Sequence, residues 1–120
     1  MLINFTNHPS SRWDQDQTNA AVYFGNIIDL QFPAIDSDGD ESYIQELVTK
    51  YVSEIENIAE VPNETTVHVM GEMTFTFAII HKLKELGFQC VASTTERMVT
   101  ELSDGTKMVS FKFVRFRRYY

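Results

Sequence analysis

With 120 residues the chain is shorter than the roughly 150 at which a second domain is expected, so it reads as one domain spanning residues 1–120. Its 43% apolar content, with nine Phe and five Tyr, excludes a disordered tail, and its single cysteine, Cys90, excludes an internal disulfide. A net charge of −7 argues against duplex DNA as a partner, because such binding depends on neutralising phosphates with Lys and Arg; a small, locally recognised phosphate ligand remains open.

The first element is a short buried strand, Leu2-Ile3-Asn4-Phe5, which runs into the breaker cluster Asn7-His8-Pro9-Ser10-Ser11. Asp14 to Phe24 reads as a helix stopped at Gly25, and Asn26 to Phe32 as a second strand ending at Pro33. Between Asp36 and Glu60, the apolar residues Ile44, Leu47, Val48, Tyr51, Val52, Ile55 and Ile58 recur at spacings of three and four. That spacing predicts a long amphipathic helix. The same span holds eight of the seventeen carboxylates against one base, Lys50, and the acids at its start oppose the positive end of the helix dipole.

Thr66 to Met70 is β-rich and is followed at once by Gly71-Glu72-Met73-Thr74 and a helix, Phe75 to Leu86, stopped by Gly87. Phe88 to Ala92 is a fourth strand, with Ser93-Thr94-Thr95-Glu96-Arg97 read as the loop at its end. Met98–Leu102 and Lys107–Phe116 flank Ser103-Asp104-Gly105-Thr106, a hairpin signal. Strand and helix alternate three times before a last strand, which predicts a Rossmann-like three-layer α/β domain with a mainly parallel sheet and a C-terminal β-hairpin.

No apolar run approaches the ~18 residues of a membrane span, and the N-terminus lacks a basic region and a cleavage site, so a cytoplasmic protein without membrane contact is expected. No Cys or His cluster suggests a metal, and no dinucleotide fingerprint or Walker loop suggests a cofactor. Asp36-Ser37-Asp38-Gly39-Asp40 hints at a calcium loop but fails, because Glu41 stands where the loop needs Gly and Leu47 where it needs Glu.

In an open parallel sheet, ligands bind beyond the carboxyl ends of the strands, which directs attention to the loops there. Asn7, His8, Ser10 and Ser11 follow strand one: an imidazole able to give or take a proton, with hydroxyls for phosphate oxygens. The competing reading is capping of the next helix by Ser10, Ser11 or Asp14. Arg12 adds a second guanidinium to these loops, and Trp13 either stacks on a base or serves as a core or rim residue. Gly71 and Glu72 allow close backbone approach and supply an acid or base; Gly71 as a tight turn, Thr74 as a cap and Glu72 as a carboxylate on the helix dipole are the structural alternatives. Ser93, Thr94, Thr95 and Arg97 offer three hydroxyls and a bidentate phosphate grip, or else a polar turn with a Glu96–Arg97 surface pair. His68 and His81 read as packing or surface residues. The terminal run Phe111–Tyr120 interleaves four of the ten bases with aromatics, as single-stranded nucleic-acid platforms do, though a charge-protected edge strand or a dimer strand is the commoner explanation.

Three stretches, Asn7-His8-Pro9-Ser10, Val67-His68-Val69-Met70-Gly71-Glu72-Met73-Thr74-Phe75-Thr76 and Cys90-Val91-Ala92-Ser93-Thr94-Thr95-Glu96-Arg97, resemble small CRISPR-associated accessory proteins of antiviral defence with a Rossmann-like (CARF-type) domain. The resemblance spans most of the chain. It implies a homodimer that binds a cyclic oligoadenylate, or another small phosphate-bearing nucleotide, through the loops after strands one and four. Some members, the ring nucleases, cleave that ligand without metal. The corresponding positions are His8, Ser10 and Ser11, then Ser93, Thr94, Thr95 and Arg97. Attack of a ribose 2′-hydroxyl on the adjacent phosphate needs alignment and charge stabilisation; Arg97 and backbone amides would supply these, and His8 or Glu72 would handle protons. The alternative is a non-enzymatic module of a defence-related complex, acting through the acidic helix and the C-terminal hairpin.

Overall fold

A computed structural model describes residues 1–120. In chain order the elements are β1 (Leu2–Phe5), α1 (Gln15–Val22), β2 (Ile27–Asp29), α2 (Glu41–Ile58), β3 (Thr66–Val69), α3 (Met73–Glu85), β4 (Gln89–Glu101) and β5 (Lys107–Arg118). Single 3-10 turns sit at Ser10–Arg12 and Pro62–Glu64. The fold is mixed α/β, with one five-stranded sheet in the order β2-β1-β3-β4-β5. Neighbours among the first four strands are parallel, and β4 and β5 form an antiparallel hairpin.

Strand periodicity divides the side chains between two faces. Ile3, Phe5, Val67, Val69 and Cys90 point to the face covered by α2 and α3, where they meet Val48, Val52, Ile55, Phe75, Ile79 and Leu83 in the main core. Leu2 and Val91 point the other way, into a small cluster with Trp13 and with Ala21 of α1. Both long helices start where a side chain takes over an orphan backbone N–H. Asp40 accepts from Tyr43 N at 3.0 Å at the head of α2, and Glu72 accepts from Thr74 N and Phe75 N at the head of α3. Gly87, in the left-handed region at φ 95°, turns the chain out of α3 into β4. None of the helices is long and apolar enough to cross a membrane.

Two strands differ from expectation. Asn26 to Phe32 was expected to form one strand, but β2 is only Ile27–Asp29. Beyond it the chain still runs beside β1, with Leu30 N donating to Asn4 O at 2.9 Å, until Phe32 turns its ring into the main core against Phe5 and Phe75. The larger correction is β4, which does not end at Ala92. Ser93–Arg97 is no loop but the middle of a thirteen-residue strand, because β5 returns alongside it and pairs every position from Val91 to Glu101. Val114 is the one β5 residue skipped, between the pairs Thr94–Arg115 and Thr95–Phe113. β3 stops at Val69 and its ladder reaches β4 only as far as Val91, so the rest of the hairpin stands beyond the carboxyl end of the parallel strands. This projection lengthens the molecule: the radius of gyration is 16.1 Å, against about 13.6 Å for a compact chain of this length.

Candidate functional site

The strand order reverses between β1 and β3, since the chain first steps from β1 to β2 and then crosses back past β1 to β3. Loops leaving neighbouring strands at such a point part in opposite directions and leave a crevice. Here it is a cleft of about 630 Å³. Thr6, Asn7 and His8 after β1 form one side, with Met70 and Gly71 after β3 beside them. Arg12, Trp13, Asp14 and Gln17 come from the turn and first residues of α1, and the hairpin supplies the far wall with Ser93, Thr95, Phe111 and Phe113. Arg12 is the only Lys or Arg in the lining, and His68 forms part of the floor.

The floor rests on a polar row. The parallel registers set Asp29, Asn4 and His68 side by side across β2, β1 and β3 on the α1 face. The Asn4 amide joins them: Nδ2 donates to Asp29 Oδ1 at 2.8 Å and to His8 O at 2.9 Å, while Oδ1 lies 2.9 Å from His68 Nδ1 and accepts from Thr6 Oγ1 at 3.0 Å. Partial burial raises the pKa of Asp29, but the bonds from Asn4 and from the Ser10 hydroxyl and backbone outweigh it and hold the carboxyl below its usual range. Burial, with a smaller contribution from the neighbouring His8, pushes His68 down to about 4, so its ring is neutral near pH 7. Trp13 and Phe116 pack edge-on against that ring, at centroid distances of 5.7 and 5.2 Å.

A family model described as the Uncharacterized protein MJ1673 family matches residues 1–117. The chain belongs to that family. The matched span takes in the three helices, β1 to β4 and all of β5 but Arg118, so each wall of the cleft lies within it. No curated protein and no solved structure matches the chain.

Five of the site residues expected from sequence meet in this family member's cleft: Asn7, His8, Gly71, Ser93 and Thr95. The Ser93 hydroxyl lies 3.1 Å from Met70 Sδ, which ties the hairpin wall to the end of β3. Gly71 is explained from the opposite side as well, since a Cβ there would overlap the Phe32 ring.

Six others have different work or sit elsewhere. Ser10 serves Asp29, with its hydroxyl 2.8 Å from Oδ2, and Ser11 is an exposed residue of the 3-10 turn; the cap of α1 is Asp14, accepting from Gln17 N at 2.8 Å. Glu72 is not among the residues lining the cleft and borders a neighbouring groove with Asn7, Gln31 and Phe32. Bonds from the Phe75 backbone, the Thr74 hydroxyl and the Thr74 backbone hold its carboxyl below the usual range, and through them it caps α3. Thr74 donates to that same carboxylate. Thr94 points to the opposite face of β4 from Ser93 and Thr95, and its hydroxyl reaches Arg115 O at 3.2 Å. Arg97 is exposed, paired across the hairpin with Phe111 and outside the cleft lining.

From sequence alone His68 reads as a packing or surface residue, Trp13 as stacking or core, and Arg12 only as a second guanidinium beside Arg97; the structure puts His68, Trp13 and Arg12 in the cleft and leaves Arg97 outside it. The available signal was a polar residue in each of three strands, Asn4, Asp29 and His68, at positions that share a face once the strands are aligned. The structure brings no three His, Cys, Asp or Glu side chains into a group able to hold a metal ion.

Proposed function

We propose that the protein binds a cyclic oligoadenylate in this cleft and opens the ring without a metal, as a CRISPR-associated ring nuclease acting in the cytoplasm on a Rossmann-like, doubly wound sheet. The observation that carries this reading is the meeting of an imidazole (His8), a guanidinium (Arg12), two hydroxyls (Ser93, Thr95) and an exposed aromatic face (Phe111) in one crevice at the strand-order reversal. Phosphate calls for the cation and hydroxyls, and a base calls for an aromatic surface on which to stack. In cleavage, the ribose 2′-oxygen bonds to the adjacent phosphorus as His8 takes the 2′-hydroxyl proton; the P–O5′ bond breaks, and the departing 5′-oxygen takes a proton from water, leaving a cyclic phosphate and a 5′-hydroxyl. Arg12 takes the charge-stabilising role expected of Arg97.

A cleft of about 630 Å³ suits a piece of such a ring rather than the whole, which favours a homodimer whose two clefts share one ligand. The exposed edge strand β5, with Met108, Val109, Phe111 and Val114 on its surface, supports the same association. It also supports the second reading, a non-enzymatic module that docks a protein through the hairpin and the acidic α2.

The test is incubation with labelled cyclic tetra- and hexa-adenylate in EDTA, followed by separation of linear products. Linear product is expected, and His8→Ala should lose about 10²-fold or more in single-turnover rate while keeping most of the binding. Retention without cleavage reduces the reading to a ligand-binding domain. Absence of both gives preference to the protein-docking module.

A further inference from the structure

We propose that His68 and Trp13 hold a ligand hydroxyl at the cleft floor, His68 Nε2 accepting its hydrogen and the Trp13 indole N–H donating to its oxygen. Both side chains line the cleft, both are more than nine-tenths buried, and His68 Nε2 and Trp13 Nε1 are both without a hydrogen-bond partner. Buried polar atoms are nearly always paired, so two neighbouring orphans in one cleft point to a group that arrives from outside.

The hydrogen-bond network determines what that group must be. One side of the Asn4 amide faces two acceptors, the Asp29 carboxylate and the His8 carbonyl, so Nδ2 has to lie there. Oδ1 therefore faces His68, and Nδ1 must carry the imidazole proton. The ring is neutral near pH 7, which leaves Nε2 as a bare acceptor. The indole nitrogen only donates. A phosphate or carboxylate satisfies the indole but repels the imidazole lone pair, and an ammonium does the reverse. A hydroxyl serves both with one oxygen. In a nucleotide this selects the ribose hydroxyls over deoxyribose, so the inference deepens the cleft reading above and depends on the cleft receiving a ligand.

The chain has one tryptophan, so a single indole N–H resonance reports the pair directly. The experiment follows that resonance and the His68 ring nitrogens by NMR during titration with cyclic tetra-adenylate, its all-deoxy counterpart, ribose 5-phosphate and 2-deoxyribose 5-phosphate. A ribose ligand is expected to move both signals, and its deoxy form to bind on the order of ten- to a hundredfold more weakly, because it leaves the two atoms unpaired. Trp13→Phe keeps the aromatic packing and removes one of the two partners, so it should shrink that ratio several-fold, with the backbone amide spectrum showing the fold intact. If ribose 5-phosphate moves the indole while cyclic tetra-adenylate does not bind, the hydroxyl site stands and the oligoadenylate reading falls. If cyclic tetra-adenylate shifts the Ser93 and Thr95 amides but leaves the indole still, or the deoxy ring binds equally well, the hydroxyl site falls alone. An indole unmoved by all four overturns the inference.

Discussion

The two faces of the sheet are built to different standards. On the side of α2 and α3 lies a continuous apolar core of fifteen buried residues, in which Phe5 and Phe75 each contact the other, Phe32 and the partly buried Tyr51 at centroid distances of 5.2 to 6.1 Å. On the side of α1, a helix of only eight residues, the buried apolar cluster is four residues, one of them the helix's own Ala21, beside the polar row Asp29–Asn4–His68. The hairpin completes this thinner side by laying Phe116 against Trp13, Phe24 and His68. A dry, interdigitated face supplies stability, whereas a face that keeps unpaired polar atoms spends stability on a place where a ligand can be received.

If the division is real, damage to one face should leave the work of the other intact. The largest effect is expected from Phe75→Ala, which empties the centre of the apolar side and should cost about 3–5 kcal/mol in urea unfolding, while the folded fraction keeps its ligand affinity. A loss below 1 kcal/mol would mean that this face is not the main source of stability.

Acid should act through the other face. The folded-state pKa of His68 is about 4, below an unfolded value near 6.5, so between these two the unfolded chain binds more protons. Stability present above pH 6.5 is therefore lost as the pH falls toward 4, by about 3 kcal/mol in total. Urea midpoints across that range should show the slope in the native chain and in Phe75→Ala, but not in His68→Phe. Below it, protonation of Asp29, whose folded-state pKa is lowered, adds a further loss.

The smallest effect sharpens the map of the cleft itself. Arg12→Ala should weaken oligonucleotide binding by about 1.5–3 kcal/mol, the range for a charge-assisted contact. Arg97→Ala and Arg115→Ala, both on the hairpin outside the lining, should change it less. Equal losses in titrations at fixed salt would undo the assignment of the anion contact to the α1 turn.

The alternation of strands and helices, the presence of the long α2 and the hairpin turn at Asp104-Gly105 were legible in the sequence, because each depends on neighbours a few residues away, although α2 is Glu41–Ile58 and the acidic run Asp36–Asp40 precedes it as turn and cap. Periodicity along one element reports which positions face a core, and capping is decided within one turn. The length of β4 was not legible. Ser93-Thr94-Thr95 suits a polar loop and a strand equally, and only the return of β5 alongside it gives those backbone groups their partners.

The cleft was half legible for the same reason. Asn7, His8 and Gly71 follow strands and could be placed by the rule that ligands gather at strand ends, but the row beneath them joins residues 25 and 64 positions apart. That Asn4 meets Asp29 on one side and His68 on the other is a property of strand register, and register is set by how whole faces pack. The amino-acid order alone determined which residues could form strands, helices and turns. The tertiary structure decided that a histidine from the middle of β3 lies beside the only tryptophan, because contact between strands depends on alignment in space and leaves no periodic trace along the chain.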